Sequence, residues 1–182
     1  MSQKIFVHLA EGFEEIEAMA TIDILLRGEL DTVIVSMMDD LVVKSVRGVG
    51  IKCDAFFQDV NYEDCSMMVL PGGYPGVTNL GNHQGLCHQL KNFSEEEKWI
   101  AAICAAPVIL HDQGLLTGKT LTCFPGLGDD FHEATVKTDP VVVYGKLITS
   151  QGPGTAIEFG LKIIEMLQGK EQSDFIRGKL LA

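Results

Sequence analysis

Cys104 stands where two patterns meet, the continuous apolar run Trp99-Ile-Ala-Ala-Ile103 before it and Ala105-Ala-Pro107 after it. Five apolar residues in a row suit a buried strand, and proline is well tolerated in the first turn of a helix. A thiol at such a turn faces the unpaired amides of a helix N-terminus, whose dipole favours the thiolate, so a lowered pKa is expected. A thiolate there can attack a carbonyl carbon or climb the oxidation ladder to a sulfinate. From spacing alone, an inert thiol buried among alanines explains Cys104 equally well.

Three further loops carry residues that could serve it. Glu14, Glu15 and Glu17 fall in the first turn of a helix, where the dipole favours acids; capping and solvation account for two of them. Glu17 is the one placed to share a proton with the Cys104 sulfur. Gly72 and Gly73 follow the apolar run Met67–Leu70 and either form a plain turn or present backbone amides, with that of Ala105, to an oxyanion. Gln151-Gly-Pro-Gly154 is open to the same two readings. Of the histidines, His8, His83, His88 and His111 fall in strand or helix contexts that suit structural roles. His132, in Gly128-Asp-Asp-Phe-His132, is the candidate general base, because a loop can return toward a cleft. Cys123 reads as a core thiol.

The elements that must hold these residues alternate. Strands are expected at Ile5–Ala10, Thr32–Met37, Val49–Cys53, Met67–Leu70, Trp99–Ile103 and Leu121–Cys123, with a hairpin of Val141–Tyr144 and Leu147–Thr149 about Gly145-Lys146. Helices are expected at Glu14–Arg27, Gly85–Phe93, Ser94–Lys98, after Pro107, and at Thr155–Gln168. Such alternation implies an α/β fold, a mostly parallel sheet with helices on both faces. Ligands of such sheets bind beyond the carboxyl ends of the strands, where all four loops lie.

The 182 residues, 46% of them apolar, read as one domain, 1–182. A formal charge of −11 disfavours nucleic acid and anionic membrane as partners. No stretch reads as a signal peptide or a membrane span. The five cysteines are odd in number and contain no CxxC pair, which argues against a disulfide framework or a zinc site and for reduced thiols in the cytoplasm.

Taken together, Glu11-Gly-Phe-Glu-Glu-Ile-Glu17, Val69-Leu-Pro-Gly-Gly73, Ile100-Ala-Ala-Ile-Cys-Ala-Ala-Pro107 and Thr149-Ser-Gln-Gly-Pro-Gly-Thr155 resemble the ThiJ/PfpI superfamily, in particular its protein deglycase branch associated with Parkinson disease. The resemblance covers nearly the whole chain. It implies a three-layer, flavodoxin-like sandwich of the class I glutamine-amidotransferase type, usually a homodimer, with Cys104 on a nucleophile elbow. By the same resemblance Glu17 is the carboxyl partner of the sulfur, and Gly72 and Gly73 offer amides. Arg27 and Arg47 match arginines that approach the site in the dimer, although both also read as solvated surface charge.

Two departures narrow the chemistry. Proteases of the superfamily carry histidine directly after the nucleophile, where this chain has Ala105, which argues against a peptidase. The deglycase branch has histidine before a proline after the next strand, where this chain has Phe124-Pro125. The resemblance therefore implies a stress-response protein with metal- and cofactor-free glyoxalase or deglycase chemistry on small reactive carbonyls. The alternatives are a non-enzymatic redox sensor whose Cys104 meets an oxidant, and a chaperone.

Overall fold

The computed structural model describes residues 4–182. In chain order, β1 (Lys4–Leu9) leads into α1 (Glu15–Arg27) and β2 (Thr32–Ser36). The short strands β3 (Val42–Lys44), β4 (Gly50–Lys52) and β5 (Ala55–Phe56) precede β6 (Cys65–Leu70), α2 (Gly76–Asn82) and α3 (Gln84–Glu95). Next come β7 (Trp99–Ile103), α4 (Pro107–Asp112), β8 (Thr120–Leu121) and β9 (Thr135–Val136). The hairpin β10 (Val141–Tyr144) and β11 (Leu147–Ser150) leads to α5 (Ala156–Gln168) and α6 (Lys170–Leu180).

Seven strands form the main sheet in the order β10-β11-β7-β6-β1-β2-β5. All neighbours are parallel except β10 and β11. Strands covered on both faces read as unbroken apolar runs, and β1, β6 and β7 are buried along almost their whole lengths. The chain steps from β1 to β2 in one direction along the sheet and from β6 to β7 in the other. Right-handed crossovers then place the connecting helices on opposite faces. Accordingly α1 packs with α5 and α5 with α6, while α2 packs with α3 and α4. The reversal opens a crevice beyond the carboxyl ends of β1 and β6.

Several elements differ from expectation. No separate helix covers 94–98: α3 runs on to Glu95, and the chain turns at Glu97, whose φ is 52°. The strand at 49–53 is β4, which pairs with β3 outside the main sheet, and the strand at 121–123 shortens to β8, which pairs with β9. Helices α2 and α6 were unforeseen. Only Ser173 and Ile176 of α6 are buried, so it shows no apolar stripe. It is held by the Ser173 hydroxyl, which donates to the Leu161 carbonyl at 2.8 Å, and by two Arg177–Glu158 bonds of 2.6 Å.

Candidate active site

Cys104 follows β7 directly and adopts φ +64°, a left-handed conformation rare outside glycine. Such strain costs ~1–3 kcal/mol and persists only where neighbours impose it. Here its N–H donates to the Ser150 carbonyl at 2.9 Å, and its carbonyl accepts from the Phe124 N–H at 2.8 Å. Two such bonds, ~0.5–1.5 kcal/mol each, are comparable to the strain. The clamp beyond β11 is itself tied down: the Ser150 and Thr155 hydroxyls lie 2.7 Å apart, and the Gly152 N–H donates to Thr155 Oγ1 at 3.1 Å. Nothing in the sequence pattern singled out Ser150 or Thr155.

Glu17, in the first turn of α1, is fully buried. Its Oε2 accepts the Gly72 N–H at 2.7 Å. The Gly72 amide is therefore spent on orienting the carboxyl, which corrects its expected place among the amides facing an oxyanion. The amides of Gly73 and Ala105 do act on the Cys104 sulfur. Glu14 caps α1, its Oε2 accepting the Glu17 N–H at 2.8 Å, the local role expected of an acid there.

Electrostatics corrects a second expectation. Burial pushes the Cys104 thiol up, the neighbouring Glu17 charge and hydrogen bond push the same way, and the amides of Ala105 and Gly73 oppose them. Helix α4 has only six residues and Cys104 is 9% exposed, so desolvation outweighs the dipole. Burial likewise raises the Glu17 carboxyl to about 7, against the pull of its hydrogen bonds to Cys104 and Gly72. Glu17 Oε1 is buried and has no hydrogen-bond partner among the described residues, while the carboxyl as a whole interacts with the Cys104 thiol. Carboxyl and thiol thus form a pair that titrates as a unit. Below about pH 7 both groups hold their protons; above it the carboxyl loses its own first and the remaining proton stays on sulfur, with the amides of Ala105 and Gly73 easing its transfer to Glu17.

The pair leaves a signature in stability. Between pH 4.5 and about 7 the unfolded chain releases the Glu17 proton while the folded chain keeps it, so stability falls as pH rises there. His8, buried and bonded to the Tyr62 hydroxyl at 2.8 Å, has its pKa lowered by burial to about 4. Between about 4 and 6.5 the unfolded chain takes up a proton that the folded chain refuses, so this term rises with pH. The two oppose each other. Glu17→Gln is expected to unmask the His8 slope, ~1.4 kcal/mol per pH unit for one proton, in urea unfolding from pH 4.5 to 6.5. Parallel wild-type and variant curves would contradict a protonated Glu17.

The other candidates separate. Arg47, with 69% of its side chain exposed, reaches Glu14 Oε1 at 3.3 Å and Glu15 Oε2 at 3.5 Å, and so borders the site through the cap. Arg27 lies ten residues beyond Glu17 on α1, about 15 Å along the axis, and pairs with Asp23 at 2.6 Å. Within one chain it does not meet the site. His132 is exposed, and no hydrogen bond or ring contact joins it to Cys104 or Glu17 among the described residues; its neighbour Phe131 stacks on His111 at 4.7 Å. Phe124, 48% exposed, lies at the mouth instead. A Cβ on Gly152 would stand 3.5 Å from its ring, 3.9 Å from the Cys104 sulfur and 3.9 Å from Glu17 Oε1.

A doubly wound sheet with a carboxyl–thiol pair at its switch point defines a class, the flavodoxin-like α/β proteins with a cysteine elbow. The DJ-1/PfpI family model matches residues 3–166. The chain is 37% identical to protein dj-1beta of Drosophila melanogaster, over 100% of this chain and 99% of that protein. It is 36% identical to a glutathione-independent glyoxalase of Caenorhabditis elegans, over 90% and 88% of the two chains. The solved structure of oxidized Toxoplasma gondii DJ-1 superposes with a TM-score of 0.92 at 38% identity, covering 98% of each chain. Two Arabidopsis thaliana homologues are longer, and the chain spans only 39% and 47% of their lengths. The chain belongs to the DJ-1/PfpI family.

Proposed function

We propose that this protein is a glutathione-independent glyoxalase or deglycase of stress defence, acting on small α-oxoaldehydes without metal or organic cofactor. The observation that carries this is the buried Glu17 carboxyl, held by the Gly72 amide and facing a Cys104 sulfur that the Gly73 and Ala105 amides also reach. The Glu17 carboxylate takes the Cys104 thiol proton as the sulfur attacks the aldehyde carbon, and passes it to the oxygen that gains the electron pair, giving a hemithioacetal. The Gly73 and Ala105 amides face the developing charge. Glu17, again a carboxylate, removes the hydrogen from that carbon as a proton and returns it to the adjacent carbonyl carbon, while the hydroxyl proton on the first carbon passes to the oxygen of the second. The resulting thioester is released by water as an α-hydroxy acid, with the thiol restored, so no oxidant or reductant is consumed.

Phe124 can move no proton, so one carboxyl performs every transfer. That a similar Caenorhabditis protein is named a glutathione-independent glyoxalase supports the reading. We further read residues 1–182 as one domain that forms a homodimer, in which Arg27 could approach a partner's site, and that resides in the cytoplasm, since all five cysteines are free. Among the described residues no helix is long and apolar enough to cross a membrane.

A second reading, a redox sensor, is favoured by the same amides and protonated carboxyl, which would hold a Cys104 sulfinate. One experiment separates the two. The purified chain is given methylglyoxal without glutathione and lactate is measured, while a parallel sample receives mild peroxide before mass spectrometry. Catalytic lactate formation supports the enzyme; none, with Cys104 oxidised ahead of the other four cysteines, supports the sensor.

A further inference from the structure

The amino ends of β7 and β11 frame a cavity of about 450 Å³, within the range of small-molecule sites. Ile100 in its wall lies four residues before Cys104 on an extended strand, about 13 Å away, so the cavity opens at the end of the sheet opposite the thiol. Ile100, Leu110 and Leu147 give it an apolar floor, each 5% exposed or less. Lys98, Lys119 and Lys146 line it together with a single carboxylate, Glu97. A cluster of three cations is unexpected in a chain of net charge −11.

Those cations are not equivalent. Lys98 is engaged with Glu96 at 2.8 Å. Lys146 lies over the Trp99 ring at 4.3 Å, and Lys119 reaches only the Ser94 hydroxyl, at 3.4 Å. Neither enters an ion pair among the described residues. Lys119 is half-buried, and desolvation disfavours its charge. A desolvated ammonium beside an apolar floor is costly unless an anion meets it.

We propose that this cavity binds a small amphipathic anion, its carboxylate or phosphate held by Lys119 and Lys146 and its apolar body laid against Ile100, Leu110 and Leu147. The charged head supplies what Lys119 lacks, and the apolar body removes the floor from water. The site is separate from Cys104 and does not depend on the reaction assigned there.

The test is titration of the ¹⁵N-labelled full chain with octanoate, octyl phosphate and, as a neutral control, octanol. Octanoate or octyl phosphate is expected to shift the amides of Gly145, Lys146, Leu147 and Leu115 and to leave Gly73 and Ala105 in place; whichever binds tighter identifies the head group. Octanol is expected to bind at least about tenfold more weakly. Lys119→Met, which keeps the apolar stem, is expected to weaken the anion by a similar factor, about tenfold. Should that variant unfold, Lys146→Gln on the exposed hairpin turn gives the same reading. Octanol binding as tightly as the anions, unchanged affinity in the lysine variant, or no shift at this end of the sheet would each overturn the proposal.

Discussion

Cys104→Ser is expected to keep the fold and to form α-hydroxy acid from an α-oxoaldehyde at least about a thousandfold more slowly than the wild type. The backbone bonds that impose φ +64° come from Ser150 and Phe124 and involve no atom of the side chain. A serine therefore inherits the geometry, and unfolding curves of the two proteins should overlay. A hydroxyl has a far higher pKa than a thiol, and a carboxyl near 7 cannot ionise it. The measurement is lactate formed from methylglyoxal at matched protein concentration. Turnover within tenfold of wild type, about 1.4 kcal/mol, would remove Cys104 from the reaction.

Gly72→Ala is expected to cripple the carboxyl–thiol pair with a single added methyl. The added Cβ would lie 2.6 Å from Cys104 Cβ, 2.7 Å from Glu17 Oε2 and 3.0 Å from the Ile103 carbonyl. Contacts that short force a shift in the strand-end loop, the elbow or the carboxyl. Overpacking of this kind costs about 1–3 kcal/mol, which lowers Tm by about 2–12 °C in a chain of this size. Activity should suffer more than stability, because moving Glu17 from its amide costs about a hundredfold in a proton-transfer step. Gly154→Ala is the control, since nothing lies within 4 Å of a Cβ there. A Gly72→Ala protein with wild-type melting and turnover would show that the loop has room the geometry denies.

Much of this arrangement was legible before any coordinates. The runs at 67–70 and 99–103 read as buried strands because helices cover both of their faces, and the hairpin about Gly145-Lys146 announced itself by two short β-forming runs about a two-residue turn. Glu17 and Cys104 were paired on motif and position, and the fold sets them side by side. Other features left no local trace. Strands of two or three residues, such as β3, β5 and β9, are shorter than any periodicity can register. Helix α6 hides behind a polar sequence because so little of it is buried. The destination of the Gly72 amide depends on how two loops from distant parts of the chain meet. The strand-turn-helix pattern shows the dipole that lowers the Cys104 thiol, whereas the desolvation that raises it can be read only from packing.

Glu17, Gly72, Cys104 and Gly152 arrive from four separate stretches of chain, each delivered by a different strand of one sheet. No local segment holds more than one of them. Opening that frees one loop from its neighbours therefore dismantles the whole constellation, so activity is lost with the first of the four loops to open. Exchange of the Gly72, Cys104 and Phe124 amides with deuterium should share one rate, tying the working life of the site to the lifetime of the native sheet.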